Sequence, residues 1–478
     1  MMELVKTPAR RGLLAGLRRS AKALLSGAAC VAALSALPGA ASSETLGQAL
    51  ADAYRTSGLL EQNRLVLKAA DEDAAQAVAA LRPVLAWTAQ ATNSYAEATG
   101  ITSNTASAGL SLSYTLFDFG STQLSVEMAK ETVLITRQQL LAYEQQVLLR
   151  AVTAYMEVRR SLQTLQLRRA NVRLLSEELR AAQDRFEVGE VTRTDVAQAE
   201  AALAGARAGL TAAQGALIQA QLEYEAAVGH KPGDLAPAAR LGKVPAQSSE
   251  AVNIALQTHP SMNAARRQVT LAELRLQQAD LAVMPSIDLS ASVNLRRDLD
   301  SSVNATTRTV GIGASGPIYS GGAIAAARRQ AVLNRDAQLA NLRVVSTDIT
   351  QNVGNAFSGV QIARAASVAG QEQVRAAEVA FEGVREEANL GSRTTLDVLT
   401  QEQDLLDARV SYLSSQVDEV NSRYQLLATM GLLTAENLGL NVEIYDPAAY
   451  YNMVKDAPAG LSAQGRKLDS VLRRIGKD

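Results

Sequence analysis

The chain has 478 residues, and 47 Lys and Arg balance 48 Asp and Glu, so there is no net positive field to attract nucleic acid and no nucleic-acid partner is expected. One cysteine, Cys30, and two histidines, His230 and His259, exclude a disulfide framework and leave no cluster of soft metal ligands. Aromatic residues are 4% of the chain while alanine is abundant, which is typical of long packed helices.

Residues 1–41 have the features of a secretory signal peptide. Basic residues precede an apolar segment at 23–37 that is too short to span a bilayer, and 39–41 read Gly-Ala-Ala, a cleavage site. We expect general secretion and a mature chain that starts near Ser42. Two alternatives are a twin-arginine signal at Arg10-Arg11 and a lipid anchor on Cys30, which lacks the large apolar residue expected three positions before it.

The mature chain begins with one helical pattern over 44–81, which ends before Pro83. The hydrophobic period then changes from 3.6 to 2 over about 86–96 and again over about 106–118, where apolar residues such as Trp87 and Leu110 alternate with Ser, Thr and Gln. This pattern predicts a hairpin of two strands with one apolar and one small polar face. A soluble sandwich sheet is one interpretation, but the strands have about the 9–11 residues of tilted membrane strands.

A long helix is predicted over 121–187, because 121–186 contains no Pro or Gly; at 1.5 Å per residue it is about 100 Å long. A tip at 188–193 and a helix at 194–228 follow. Apolar residues recur at sevens in both helices, which indicates side-by-side packing, and a row of alanines permits close approach of the helices. The alanine row is Ala199, Ala206, Ala213, Ala220 and Ala227.

The same plan returns after a proline-containing connector at 230–249. The glycines Gly189 and Gly391 are 202 residues apart (391 − 189), and Pro83 and Pro285 have the same offset, which indicates a duplicated unit. The first repeat is 42–229 and the second 250–440. The second should contain a helix, strands at about 286–296 and 308–319, a long helix at 322–388, a tip at 389–394 and a helix at 395–430. We expect short helices or disorder in a periplasmic tail at 441–478.

The two tips carry the chain's clearest motifs. Each has a glycine, Gly189 or Gly391, suited to a left-handed turn, and then a threonine with aspartate three residues later, the capping signature of a new helix. These pairs are Thr192 with Asp195 and Thr394 with Asp397. The carboxylates are helix caps in one interpretation and a charged ring at a pore mouth in another, and the two are compatible. Arg393 and Asp397, at i and i+4, are expected near the same end of one helix.

An enzyme finds little support in the sequence. The pattern Gly311-x-Gly313-x-x-Gly316 has the form of a dinucleotide fingerprint, but it falls inside an alternating strand and Pro317 follows it, whereas that fingerprint needs a strand-to-helix turn. We therefore expect no catalytic residue, no cofactor and no metal site.

Four strands cannot close a barrel, and an open membrane sheet would leave unpaired edges in lipid. Three copies would supply 12 strands around a water-filled lumen, continued by the helices as a tube. The chain resembles the TolC family of trimeric outer-membrane channel-tunnels over its whole mature length. The motifs that carry the resemblance are the two tips, 185–196 and 391–399, and the turns L-F-D-x-G at 116–120 and P-I-Y-x-G-G at 317–322.

The resemblance implies a mainly α fold with membrane β-strands: a duplicated repeat that forms a trimeric 12-stranded β-barrel continued by a periplasmic α-helical barrel. It implies a homotrimer in outer-membrane lipid and an exit duct for efflux or type I secretion, with a periplasmic adaptor and an inner-membrane ABC or proton-driven transporter. The rival interpretation is a soluble periplasmic coiled-coil adaptor or tether.

The resemblance also implies site residues. A periplasmic entrance gate would comprise Arg393, Asp397, Asp195 and Arg193. Hairpin-tip turns for adaptor docking would comprise Gly189, Thr192, Gly391 and Thr394. Helix–strand junctions would lie at Pro83, Pro285 and Pro317. Thr400 stands where a second aspartate is common in the family, and Ala388 where a tyrosine can occur, so a tight cation site at the entrance is not implied.

Overall fold

The computed structural model describes residues 43–98, 100–238, 245–301, 304–460 and 462–475. The predicted signal peptide and Cys30 lie outside the described residues. The elements in chain order are α1 Leu46–Thr56, α2 Gly58–Ala79, β1 Val84–Ala96, β2 Ile101–Phe117, α3 Ser121–Glu187, α4 Arg193–Val228, α5 Ser248–Thr258, α6 Pro260–Leu281, β3 Ser286–Asp298, β4 Asn304–Ser315, α7 Ala323–Asn389, α8 Thr395–Thr429, α9 Pro447–Val454 and α10 Ala463–Ile475.

The four strands form one antiparallel sheet in the order β1-β2-β3-β4, so the two hairpins of the repeats lie side by side. The register places Trp87 opposite Leu110, Leu110 opposite Val293 and Leu112 opposite Ala291, which gathers the apolar residues on one face. The hairpin strands extend further toward their turns than the expected 106–118 and 308–319, starting at Ile101 and Asn304. Backbone pairing continues there because strand hydrogen bonds do not require the apolar alternation to persist.

Each repeat contains a helical hairpin of unequal arms. The helices α3 and α7 each have 67 residues, and α4 and α8, of 36 and 35 residues, run back along them from the tips. The alanine row of α4 is buried at every position, with Ala199 fully covered, and Leu175 and Ala182 of α3 belong to the same apolar cluster. Small side chains on this stripe let α4 lie close against α3.

The helix expected over 44–81 is wrong in one respect: it is two helices. Ser57 has an extended backbone, and its hydroxyl accepts a hydrogen bond from the Leu60 amide, so α1 ends and α2 begins there. The second repeat breaks at His259, whose ring nitrogen Nδ1 accepts from the Ser261 amide, and Pro260 takes the first helical position. Proline has no amide hydrogen to continue α5, so the two halves cannot form one helix.

The largest apolar core lies where the helices of the first repeat meet near the middle of α3. Leu148 and Tyr155 of α3 pack with Leu50 of α1 and Tyr224 of α4. The C-terminal segment packs on α2, where Tyr450 of α9 contacts Ala75. The Tyr450 hydroxyl on α9 donates to Glu72 Oε1 at 2.6 Å, and Asp71 beside it is fully buried, so that burial raises the pKa of Asp71 to about 6.

Candidate functional site

The first tip is a tight turn between α3 and α4. Gly189 has φ 82°, a left-handed conformation that favours glycine, and its amide donates to the Phe186 carbonyl. The Thr192 amide then donates to Asp195 Oδ2 at 2.8 Å, and the Asp195 amide donates back to the Thr192 hydroxyl at 3.4 Å. This reciprocal capping box starts α4 and holds the pKa of Asp195 below its ordinary value, chiefly through the Thr192 hydroxyl.

The second tip repeats this geometry. Gly391 has φ 77°, and Thr394 and Asp397 form the same capping box, with the Thr394 amide 3.0 Å from Asp397 Oδ2. The Thr394 amide and hydroxyl lower the pKa of Asp397. The cap role expected for both aspartates is therefore present at both tips. The charged ring would need several copies of the chain and stays a proposal.

Arg393 lies at the same end of α8 as Asp397, as expected, but outside the helix. Helix α8 begins at Thr395, so Arg393 precedes the N-cap and does not lie on the first turn. Its guanidinium turns back to the end of α7, where Nε donates to Glu387 Oε2 at 2.8 Å. Both side chains are about half exposed, so solvent screens the pair and it contributes little to stability. The sequence pattern did not identify Glu387, because the bond crosses the turn.

A buried carboxyl lies two helical turns from the second tip. Oε1 of Glu402 in α8 accepts a hydrogen bond from the side-chain Nδ2 of Asn171 in α3 at 2.7 Å. Oε2 of Glu402 has no partner among the described residues. Burial raises the pKa of Glu402 to about 7. Beside it is a groove of about 550 Å³ between the two hairpins, which Arg385 and the ion pair of Glu378 with Arg409 also line. The Asn171 bond joins the first repeat to the second.

Glu402 is not among the site residues expected from the sequence, although its position in the heptad pattern indicates that it is buried. Glu402 lies between Leu399 and Leu406 at heptad spacing, which is the seam of α8. A charged residue at a seam position predicts either an interhelical hydrogen bond or a titrating group.

The junction prolines lie where strands meet helices. Pro83 and Pro285 directly precede β1 and β3, and Pro317 lies between β4 and α7. Gly316 packs against Pro285 so closely that a Cβ there would be 3.0 Å from the proline Cα. Gly311 and Gly313 are paired residues of β4, opposite Ser290 and Asp288, which agrees with the rejection of the dinucleotide fingerprint.

His230 is not isolated: its Nε2 lies 3.4 Å from Glu44 Oε1 and 3.7 Å from Asp52 Oδ2, and the three groups are close enough to share a cation. Asp52 also pairs with Arg55 at 3.0 Å, and the Tyr224 hydroxyl donates to Glu44. These contacts join α1 and the residue Glu44 before it to the end of α4.

Comparison with known proteins places this geometry in a family. A family model for outer membrane efflux proteins matches residues 50–230 and 251–432, one segment in each repeat. The outer membrane efflux protein BepC of Brucella suis is 36% identical over 432 residues, which are 88% of this chain and 93% of that protein. The chain belongs to the outer membrane efflux protein family.

Other members and solved structures agree with the family assignment. TolC of Escherichia coli is 27% identical over 410 residues, 79% of this chain and 82% of TolC. The Campylobacter jejuni CmeC outer membrane channel superposes with a TM-score of 0.74 at 18% identity, over 86% of this chain and 89% of that one. The alkaline protease secretion protein AprF of Pseudomonas aeruginosa is 26% identical over 341 residues, 69% of this chain and 70% of AprF.

This outer membrane efflux protein has the fold of the outer-membrane channels, with barrel strands continued by a helical tunnel. It is an exit duct for efflux or type I secretion, located in the outer membrane and extending into the periplasm. The soluble adaptor alternative receives no support from these similarities. No helix in the described part of the chain is long and apolar enough to cross a membrane.

Proposed function

We propose that the protein works as a homotrimer whose three sheets close one 12-stranded barrel. The observation that supports this most directly is the open sheet: β1 and β4 each pair with one neighbour in the chain and have a free edge. Free backbone amides and carbonyls cannot remain unpaired in a bilayer, so other copies must satisfy them. One face of the sheet is apolar, and the other carries hydroxyl and amide side chains suited to a wet lumen.

The helical hairpins would continue the lumen across the periplasm as a passive duct. We propose that a periplasmic adaptor and an inner-membrane transporter, either an ABC or a proton-driven one, complete the pathway. The relative with the greater identity and coverage is named for efflux, whereas the relatives named for protease secretion cover less of the chain. This difference favours small-molecule efflux over protein secretion as the main task.

The tips would form the periplasmic entrance. Arg393, Asp397, Asp195 and Arg193 are the proposed gate, and the turns at Gly189, Thr192, Gly391 and Thr394 the proposed adaptor-docking surface. The support is positional: all four charged groups lie at the end of the helices remote from the sheet, where Arg193 and Arg393 are exposed and Asp195 and Asp397 are partly exposed. Marginal surface ion pairs suit an entrance that a partner must open.

Cysteine cross-linking tests whether β1 of one copy lies beside β4 of another. Thr88→Cys in β1 and Thr309→Cys in β4 lie on the polar face, and within one sheet they are more than about 14 Å apart, since three strand spacings of about 4.8 Å and a register offset of two residues separate them. A bifunctional reagent with a spacer of about 8 Å cannot join them within one chain. When the double variant in membranes is treated with this reagent, it should give covalent dimers and trimers. Each single variant should stay monomeric on a denaturing gel.

The native Cys30 should not interfere, because it falls in the predicted signal peptide. A ladder that continues beyond trimers would indicate an open array. Cross-linking confined to monomers would show that the sheet does not close between copies.

A further inference from the structure

The apolar face of the sheet becomes cationic along β3 and β4. Counting from the helix junction, the β4 side chains on this face are Ala314, Ile312, Val310 and then Arg308. The corresponding β3 row is apolar from Ile287 to Leu295 and ends with Arg297. The register pairs Arg308 with Val293 and Arg297 with Asn304, so both arginines share the face that the membrane covers.

Neither guanidinium is neutralised by a residue that the structure describes. Both side chains are exposed, and among the described residues neither Arg297 nor Arg308 has a hydrogen bond or an ion pair. An unpaired cation on a lipid-facing surface is costly at the membrane centre, so it needs an anionic partner at the membrane boundary. Arg296, next in sequence, points to the opposite, lumenal face with Ser107 and Ala305.

The heights of the two arginines above the helix junction place their side chains near the outer boundary of the membrane. A strand tilted by about 45° rises about 2.3 Å per residue, and the apolar band of such barrels is about 25 Å tall. Arg297, at the far end of β3 from Ser286, is about 26 Å above the junction on this scale. Arg308 is about 16 Å above it, and its long side chain can extend about 7 Å further toward the headgroups.

We propose that Arg297 and Arg308 bind the phosphate groups of phosphorylated lipids in the outer leaflet. A guanidinium presents paired N–H donors that match phosphate oxygens, and the bond is stronger where water is partly excluded. Next to Arg297 is a depression of about 340 Å³, bordered by Ala106, Ala108 and Leu295, where an acyl chain can pack. The site therefore binds an anionic headgroup and part of its chain. This proposal rests on the membrane barrel described above.

Native mass spectrometry of the mature oligomer tests the site. The probe is a bis-phosphorylated lipid A, titrated into the detergent-solubilised protein, with phosphatidylcholine as the neutral comparison. The variants are Arg297→Leu with Arg308→Leu, and the control is Arg343→Leu, which changes an exposed arginine of α7 outside the sheet. Each arginine near a charged membrane surface contributes about fivefold in affinity, so the double variant should lose about 25-fold for lipid A and little for phosphatidylcholine.

The control variant should bind lipid A as the wild type does. Equal lipid A binding by wild type and double variant, or an equal loss in Arg343→Leu, would overturn the proposal. If millimolar inorganic phosphate displaces lipid A completely, the arginines form a general anion site and not a lipid site. The mass of the oligomer in the same spectra reports barrel assembly separately, so a failure of assembly is distinguishable from a loss of lipid binding.

Discussion

At the scale of single residues, the second tip offers the sharpest test of the gate. Arg393 pairs with Glu387 across the turn, while Asp397 is engaged in the cap with Thr394. We expect Arg393→Ser combined with Asp397→Ala to raise single-channel conductance in planar bilayers without reducing oligomer yield, because the entrance contacts are marginal. Removal of the carboxylates Asp195 and Asp397 should also weaken cation preference.

Two controls separate gating from capping. Glu387→Gln breaks the Arg393 pair and leaves the cap intact, so it should raise conductance as well. Thr394→Ala removes a cap worth about 0.5–2 kcal/mol and should lower helix stability more than it changes conductance. Wild-type conductance and selectivity in the Arg393 and Asp397 double variant would mean that these residues are caps only.

The buried carboxyl of Glu402 predicts a pH dependence. Its pKa of about 7 in the folded protein is above the ordinary 4.5, so the folded state binds the proton more tightly than the unfolded state does. The protonated carboxyl favours folding fully below pH about 4.5, and this stability is lost as the pH rises through about 7. At ~1.4 kcal/mol per pKa unit the whole effect is a few kcal/mol.

Glu402→Gln removes the charge and keeps an acceptor for Asn171. We expect this variant to melt at a higher temperature than wild type above pH 7, followed by circular dichroism of the helices, and to show a flatter dependence between pH 4.5 and 7. The control is Glu382→Gln, because Glu382 lines the same groove and is exposed. A wild-type pH profile in Glu402→Gln would show that the carboxyl is not the titrating group.

At the scale of elements, the alanine row sets the spacing of α3 and α4. Ala206→Leu or Ala213→Leu adds three carbon atoms at a buried position and should destabilise the hairpin by about 1–3 kcal/mol, because the helices must separate. Ala212→Leu, one residue away and exposed, is the matched control. Thermal unfolding compares the three variants. An equal effect of Ala213→Leu and Ala212→Leu would contradict close packing at this row.

The strands give a test of which face contacts lipid. Leu112 lies in the apolar row of β2 and Ser111 in the polar row. Arginine in place of Leu112 should cost about 2–4 kcal/mol if it lies near the bilayer midplane and should impair assembly, whereas Ser111→Arg should be tolerated. The yield of assembled protein in outer-membrane fractions is the measurement. The barrel assignment fails if both variants assemble equally well.

At the scale of the whole molecule, the duplication produces two strand hairpins that share one sheet. The sheet order joins β2 of the first repeat to β3 of the second, and the Asn171 bond to Glu402 joins the helical parts near the tips. Each repeat therefore leaves one sheet edge for another copy. We expect unboiled protein to migrate on a denaturing gel as an oligomer of three chains and boiled protein as a monomer. Monomer migration without boiling would argue against a closed barrel.

The sequence by itself determined much of this protein. Heptad rows and the absence of Pro and Gly located α3 at 121–187, alternation located the strand hairpins, and the Gly, Thr and Asp spacing located both tips. These features depend on neighbours within a few residues, so local physical chemistry specifies them. The repeat at an offset of 202 residues added the two-part plan, and the tip motifs carried the family resemblance.

Other features depend on contacts between segments far apart in the chain, and only the tertiary structure decided them. The bond between Asn171 and Glu402, 231 residues apart in the chain, is the example near the tips. A carboxyl on a helix seam is compatible with a solvated or a buried state until the helix that covers it is known. Burial by α3 fixes the state of Glu402 and raises its pKa, because desolvation depends on every atom packed around the group and not on its neighbours in sequence.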